Sequence, residues 1–129
     1  MTSRYGEPVF VISVAARLVE MHPQTLRKYE REGLVAPSRT MGKMRLYSDQ
    51  DIERLRQVKY LVEHRGLNLA GVQLALELTA RLRDLRHRIV ADPSVPANAS
   101  VARHLQRELD EQLAVLGFVE QAAVEQTGT

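Results

Sequence analysis

Residues 22–34, HPQTLRKYEREGL, constrain this chain more than any other stretch. Pro23 suits the first turn of a helix, where its fixed φ is pre-set and its missing N–H is not needed. Gly33 suits the stop, where a left-handed residue is wanted. Between them Gln24, Arg27, Lys28 and Arg31 recur at helical spacing. One face of this helix therefore carries an amide and three cations, while Leu26 points away from it into a core. Cations suit phosphates, and forked or amide donors suit base edges. A helix that enters a DNA groove needs such a face.

The flanking segments extend this reading. Val9 to Ile12 is a short apolar run, either an edge strand or a hydrophobic lead-in. Ser13 is placed to cap a short helix over Val14 to Glu20, with Val14, Ala15, Leu18 and Val19 as its stripe. Met21 and His22 make a tight turn, and the second helix then runs to about Glu32. Two short helices joined so briefly form a helix-turn-helix. Pro37 disfavours helix, Gly42 marks a turn within 40–44, and Arg45 to Tyr47 reads as a returning strand. This is a small wing, with Arg39, Lys43 and Arg45 on or beside its tip. Ser48 then caps a third helix, and Asp51 completes a capping box. Ile52, Leu55, Val58 and Leu61/Val62 supply its buried stripe, and Gly66 ends it.

Asn68 caps a fourth helical segment over 69–91, which is one helix or two. Leu69, Val72 and Leu76 line one side. Leu74, Leu78, Leu82, Leu85 and Ile89 form a second stripe like a coiled-coil seam, shorter than three or four heptads. Two prolines among small residues make 92–100 a linker or break. Val101, Leu105, Leu109, Leu113 and Leu116 line a last amphipathic helix reaching about Val124. The fold class expected is mainly α, a winged helix-turn-helix followed by C-terminal dimerisation helices. The expected divisions are a flexible segment at 1–8, the DNA-binding domain at 9–78, a helical region at 79–125 and a frayed tail at 126–129. Leu78, Leu82, Leu85, Ile89, Leu105, Leu109, Leu113 and Leu116 are the candidate dimer contacts.

Composition narrows the function. The 129 residues fit one domain plus an appendage. The net charge of +2 hides an asymmetry. Residues 1–65 hold 12 Lys and Arg against 8 Asp and Glu, whereas residues 66–129 hold 6 against 8. The basic half is the half with the helix-turn-helix pattern. Only 5% of residues are aromatic, so no large aromatic-lined pocket and no small-molecule ligand or cofactor is expected. With no Cys, disulfides, thiolate metal sites and cysteine redox switches are excluded. His22, His64, His87 and His104 are scattered, so no metal site is expected. No apolar run of about 18 residues suggests a membrane span. Met1 to Glu7 lacks the apolar stretch of a secretion signal, so a cytoplasmic location is expected, at the nucleoid when DNA is bound. No catalytic triad order, phosphate loop or paired carboxylates stand out, and an enzyme is not expected.

These elements together resemble the MerR family of winged-helix transcription regulators. The resemblance rests on Ile12-Ser13-Val14-Ala15-Ala16, Pro23 to Arg31, Gly33-Leu34-Val35, Pro37, Arg39, Gly42, Arg45, Tyr47, Asp51-Ile52 and Leu55. Within the family, the runs Val11 to Ala16, His22 to Arg27 and Asn68 to Val72 are similar to the heat-shock repressor (HspR) group. That likeness implies a homodimeric repressor of chaperone genes on an inverted repeat, with the DnaK chaperone as co-repressor. One departure is the wing tip, Met41-Gly42-Lys43-Met44, which carries one cation where a more basic turn is expected.

The candidate DNA contacts follow. Gln24 and Arg27 are assigned to base edges, Gln to adenine and Arg to guanine. His22 and Thr25 lie at the helix start, where His22 either approaches DNA or caps the helix. Lys28, Arg39, Lys43 and Arg45 are phosphate candidates. Tyr29 and Tyr47 resemble family tyrosines near the DNA backbone, with the core as the alternative place for either. Lys59 matches a family position that reaches phosphate, Arg17 is a further candidate, and Arg31 either touches DNA or pairs with a nearby Glu. Two rival functions remain at this point: a MerR-type activator that distorts promoter DNA, and a coiled-coil adaptor without specific DNA binding.

Overall fold

The computed structural model describes residues 4–91 and 99–119. The chain divides into two units, Met1–Leu69 and Ala70–Thr129. In the first, a 3-10 turn at Arg4–Gly6 precedes β1 (Phe10–Val11), α1 (Ile12–Val19) and α2 (Pro23–Arg31). Then come β2 (Ser38–Arg39), β3 (Arg45–Tyr47) and α3 (Asp49–Glu63). The strands form one antiparallel sheet in the order β1-β3-β2. Phe10 pairs with Tyr47 and Val11 with Leu46, while Ser38 pairs with Leu46 and Arg39 with Arg45. The short apolar run near residue 10 is thus an edge strand, and the returning strand spans the three residues expected.

Hydrophobic burial joins these pieces. Ala15, Ala16, Val19, Leu26, Val35, Tyr47, Ile52 and Leu55 form one core cluster, with Phe10, Ile12, Met21 and Tyr29 packed against it. The first helix departs from expectation. It starts at Ile12 after Val11, which caps it without a side-chain bond, so Ser13 is an exposed helical residue and not the N-cap. Its buried face is Ala15, Ala16 and Val19, while Val14 and Leu18 are exposed. Moving the start by two residues leaves the helix period intact, but small alanines let α1 approach the core closely and take the place assigned to larger side chains. Glu20 closes α1 in the left-handed region, at φ 55°, with the Met21 N–H donating to the Ala16 carbonyl at 3.0 Å.

The second and third helices follow the sequence signals. Pro23 occupies the first turn of α2, and Gly33 takes φ 78° beyond its end. The Leu34 N–H reaches back to the Tyr29 carbonyl at 2.9 Å, the bond expected of a glycine-terminated helix. Ser48 Oγ accepts from the Asp51 N–H at 3.0 Å, and Asp51 Oδ2 accepts from the Ser48 N–H at 2.9 Å, completing the capping box. Ile52, Leu55, Val58 and Leu61 are buried, and Val62 is half-buried. Within the stretch expected to be flexible, Tyr5 is anchored: its hydroxyl donates to Glu53 Oε1 at 2.9 Å.

In the second unit, α4 (Leu69–Ala91) is one continuous helix. Val72, Ala75, Leu76 and Thr79 are its buried residues, and the Thr79 hydroxyl is satisfied by the Ala75 carbonyl at 2.8 Å. Of the second stripe, Leu74, Leu78 and Leu85 are exposed in the single chain, and Leu82 and Ile89 are half-buried. α5 (Ala99–Val115) begins inside the stretch read as a linker; residues 92–98 lie outside the described residues. It also stops short of Val124. Gly117 adopts φ 79°, and the Phe118 N–H donates to the Leu113 carbonyl at 2.9 Å, so the glycine ends the helix that the leucine spacing seemed to continue. The tail beyond residue 119 lies outside the described residues. Arg86 Nε meets Asp110 Oδ1 at 2.9 Å, and the Arg83 guanidinium lies 4.5 Å from the Phe118 ring centroid, tying the C-terminal segment to α4. Leu113 is buried in the single chain, so it is not open to a partner in this conformation. No helix among the described residues is long and apolar enough to cross a membrane.

Candidate nucleic-acid interface

The polar face of α2 exists because its apolar residues are few. Leu26 alone is fully buried, and Gln24, Lys28 and Arg31 are exposed, with Arg27 and Thr25 half-exposed. Among the described residues no hydrogen bond or ion pair holds the side chains of Arg27 or Arg31, so Arg31 does not pair with a Glu. Lys28 lies 3.9 Å from Glu32, an exposed contact that restrains it little. His22 caps the helix: its Nδ1 accepts from the Gln24 N–H at 3.0 Å. That bond fixes the imidazole at the helix start and leaves the other ring nitrogen turned elsewhere. Arg17, in the last turn of α1, and Lys43, at the wing tip, are both exposed and unpaired among the described residues.

The wing arginines are held otherwise. Glu30, on α2, accepts from Arg45 Nε at 2.5 Å and from Arg39 Nη2 at 2.9 Å. Burial by itself would raise the Glu30 carboxyl, but the hydrogen bonds and charges of Arg45 and Arg39 outweigh it and keep the carboxyl below its ordinary range. Glu30 was absent from the sequence-derived site, although a signal existed. Arg39 and Arg45 face each other across an antiparallel ladder, and like charges so placed repel. An opposed pair of arginines in a hairpin therefore calls for a carboxylate between them.

Two other assigned residues are engaged inside the protein. Tyr47 is 0% exposed and belongs to the core, so in this conformation it cannot touch DNA. Side chains alternate between the two faces of a strand, and Tyr47 falls on the face of β3 that joins the core cluster. Burial raises its hydroxyl pKa, as does the nearby Glu30 charge, against smaller opposite effects of Arg45 and Arg27. Lys59 Nζ donates to the carbonyls of Val19 and Glu20 at 3.2 and 3.1 Å, and Arg56 Nη2 to that of Leu18 at 3.2 Å. Both cations thus sit at the C-terminal end of α1, where orphan carbonyls and the helix dipole favour positive charge. Tyr29 is half-buried against the core; burial, then the charges of Glu63 and Glu32, raise its pKa and keep its hydroxyl a donor. Arg54 fastens α3 to the loop after α2 through the Leu34 carbonyl at 2.5 Å, a contact with no sequence signature.

The first unit thus combines a helix-turn-helix, a wing braced against its second helix and a polar outer face. The MerR HTH regulatory-protein family matches residues 10–79, more than half of the chain. The chain belongs to the MerR HTH family. Its MerR domain thereby runs from β1 through the first half of α4. A heat shock protein of Streptomyces coelicolor, HspR, is 48% identical over 101 residues, 78% of this chain and 66% of that protein. The transcriptional regulator GlnR of Bacillus cereus is 37% identical over 73 residues, 57% of this chain and 56% of its own. MlrA of Escherichia coli, also a transcriptional regulator, is 36% identical over 69 residues, 53% of this chain and 28% of its own. The chain thus covers just under two thirds of the Streptomyces protein and about half of GlnR. GlnR and MlrA are both transcriptional regulators of the helix-turn-helix type. Among the described residues no group of side chains could hold a metal ion.

Proposed function

We propose that this MerR-family chain is a sequence-specific repressor of heat-shock genes that binds an inverted-repeat operator as a homodimer. α2 enters the major groove, Gln24 and Arg27 read base edges, and Lys28, Arg31, Lys43 and Arg17 meet phosphates. Two-fold pairing of protomers matches the two half-sites. DnaK acts as co-repressor, as the resemblance to the heat-shock repressor group implies.

One observation carries the heat-shock reading. Likeness to the Streptomyces HspR extends over 101 residues, past the 70 of the helix-turn-helix match, whereas likeness to GlnR covers 73. The shared part therefore includes sequence outside the DNA-binding unit, where a regulator's signal and pairing reside. The exposed leucines of α4 support the dimer.

Selection of duplexes from a random pool, with and without DnaK, tests the proposal. An inverted repeat is the expected product, and a gel shift on it should tighten when DnaK is added. Arg27→Ala should weaken the selected duplex by about tenfold or more, from loss of about 1–3 kcal/mol, and weaken random DNA less. Selection of no sequence at moderate salt would overturn the DNA-binding reading. Operator affinity indifferent to DnaK would overturn the co-repressor.

A further inference from the structure

The start of α2 hangs on one residue. Pro23 has no N–H to satisfy. The Thr25 and Leu26 N–H groups both donate to the His22 carbonyl, at 2.9 and 3.3 Å, and the Gln24 N–H donates to His22 Nδ1 at 3.0 Å. His22 thus accepts every hydrogen that the opening of the helix offers. Its backbone is extended, as an N-cap requires, but its side chain is unusual in that place. Ser, Thr, Asp and Asn are the favoured caps, and α3 has one of them in Ser48. A hydroxyl or an amide oxygen remains an acceptor at any ordinary pH. An imidazole nitrogen accepts only while it carries no proton, so in the capped state Nδ1 is bare and the ring hydrogen sits on Nε2.

We infer that His22 positions Gln24 for DNA only as the neutral imidazole, so that protonation of this one ring weakens sequence-specific binding. The inference rests on the DNA-binding reading above and adds a pH-sensitive control to it. Gln24, whose N–H takes the cap, is the first side chain of the helix assigned to a base edge. A second ring proton turns Nδ1 from acceptor into donor, so that it opposes the N–H it held. The positive end of the helix dipole adds to that opposition. The Gln24 N–H is then left to water, and the first turn loosens, Gln24 and Thr25 with it. Leu26 stays in the core and keeps the rest of α2 in place. The ring is exposed and open to solvent protons. The charged groups around it are Arg17 and Glu20 of α1, Arg56 and Lys59 of α3 on the carbonyls that end α1, and Arg27 and Lys28 of α2. The wing's Arg39 and Arg45 are taken up by Glu30, about two turns further along α2. Among the described residues none of these groups is hydrogen-bonded or ion-paired to the imidazole. Groups of those types hold their charge between about pH 8 and pH 5.5, a window in which an imidazole changes its own.

The test uses the full chain and a duplex selected by the wild-type protein, with affinity followed from about pH 8 to pH 5.5 at constant ionic strength. The wild type should bind about three- to tenfold more weakly at the acid end, the scale of one lost cap. His22→Asn, whose amide oxygen caps without titrating, should bind as the wild type does at the alkaline end and lack the acid-side loss. His22→Ala should match the acid-end wild type at every pH. His64, His87 and His104 are common to all three proteins, so their contribution cancels in the comparison. In the free protein, ring-nitrogen NMR should show the Nε2–H tautomer of His22 at the alkaline end. If the wild type selects no duplex, the DNA-binding reading fails and this control goes with it. If it selects one and shares its pH profile with His22→Asn, the control alone is overturned. Wild-type affinity that rises relative to His22→Asn as pH falls would also overturn it, by placing an imidazolium on a phosphate.

Discussion

Glu30 on α2 accepts a hydrogen bond from Arg45 Nε on β3 at 2.5 Å, and this contact ties the wing to α2. Arg39 adds a second bond from β2. Glu30→Gln would leave two facing arginines with no counter-charge. It should cost roughly 1–2 kcal/mol of stability, the scale of lost charged hydrogen bonds. Residues 38–47 should then exchange their amide hydrogens faster, and specific DNA binding should fall more than stability does. The pH dependence follows from the depressed carboxyl. Its contribution is complete above the unfolded value of 4.5 and is lost as pH falls through the lower folded value. In Glu30→Gln that acid-side loss should be missing. Unchanged exchange in the wing would show that the clamp does not hold it.

Lys59 gives a second prediction, because its observed position and its family-implied role make different demands. Its ammonium lies on the carbonyls that end α1, beside Glu20, whose left-handed backbone is costly for a residue with a Cβ. Lys59→Met should therefore lower stability by about 1 kcal/mol. The salt slope of DNA binding should not change. A slope reduced by about 0.9, one phosphate's worth, would instead place the ammonium on DNA in the complex.

Tyr47 separates packing from polar contact. Its ring is fully buried, and its hydroxyl has no hydrogen-bond partner among the described residues. Removing an unsatisfied buried hydroxyl is nearly neutral or stabilising, so Tyr47→Phe should melt at the same temperature or higher. DNA affinity should be retained within about twofold. Tyr47→Ala should cost about 3–5 kcal/mol by opening a cavity in the core. A large affinity loss in Tyr47→Phe at full stability would mean that the hydroxyl is uncovered on the operator.

What the sequence revealed and what it hid divide along a physical line. Pro23, Gly33 and the Ser48–Asp51 box act through their own backbone neighbours, so α2, its stop and the start of α3 were legible. The exposed cations of α2 were legible for the same reason, since one helix period places them. Pairings between distant residues were not. Lys59 reaching Val19, Arg54 reaching Leu34, and Glu30 standing between Arg39 and Arg45 depend on tertiary approach. A lysine or arginine counted as a free cation from sequence can thus be spent inside the fold. α1 shows the limit of capping rules: Ser13 satisfied the pattern, yet the helix begins one residue before it. The strand β1 runs directly into α1, so that Val11, in extended backbone, takes the N-cap position without a side-chain bond.

The leucines of α4 provide the last prediction. Leu78 and Leu85 lie one heptad apart and are both exposed in the single chain, with Leu82 half-buried between them. Leu113, by contrast, is buried in the single chain. The two kinds of leucine should respond differently to charge. Leu85→Glu should keep helicity and melting of the protomer while shifting sedimentation to the monomer. Operator affinity should then fall about 100-fold or more, because each half-site would be bound without the advantage of its tethered partner. Leu113→Glu should lose helicity outright, since a carboxylate would be left in an apolar interior. If Leu85→Glu remains a dimer with full affinity, the seam lies elsewhere, and the exposed stripe of α4 is free for another surface.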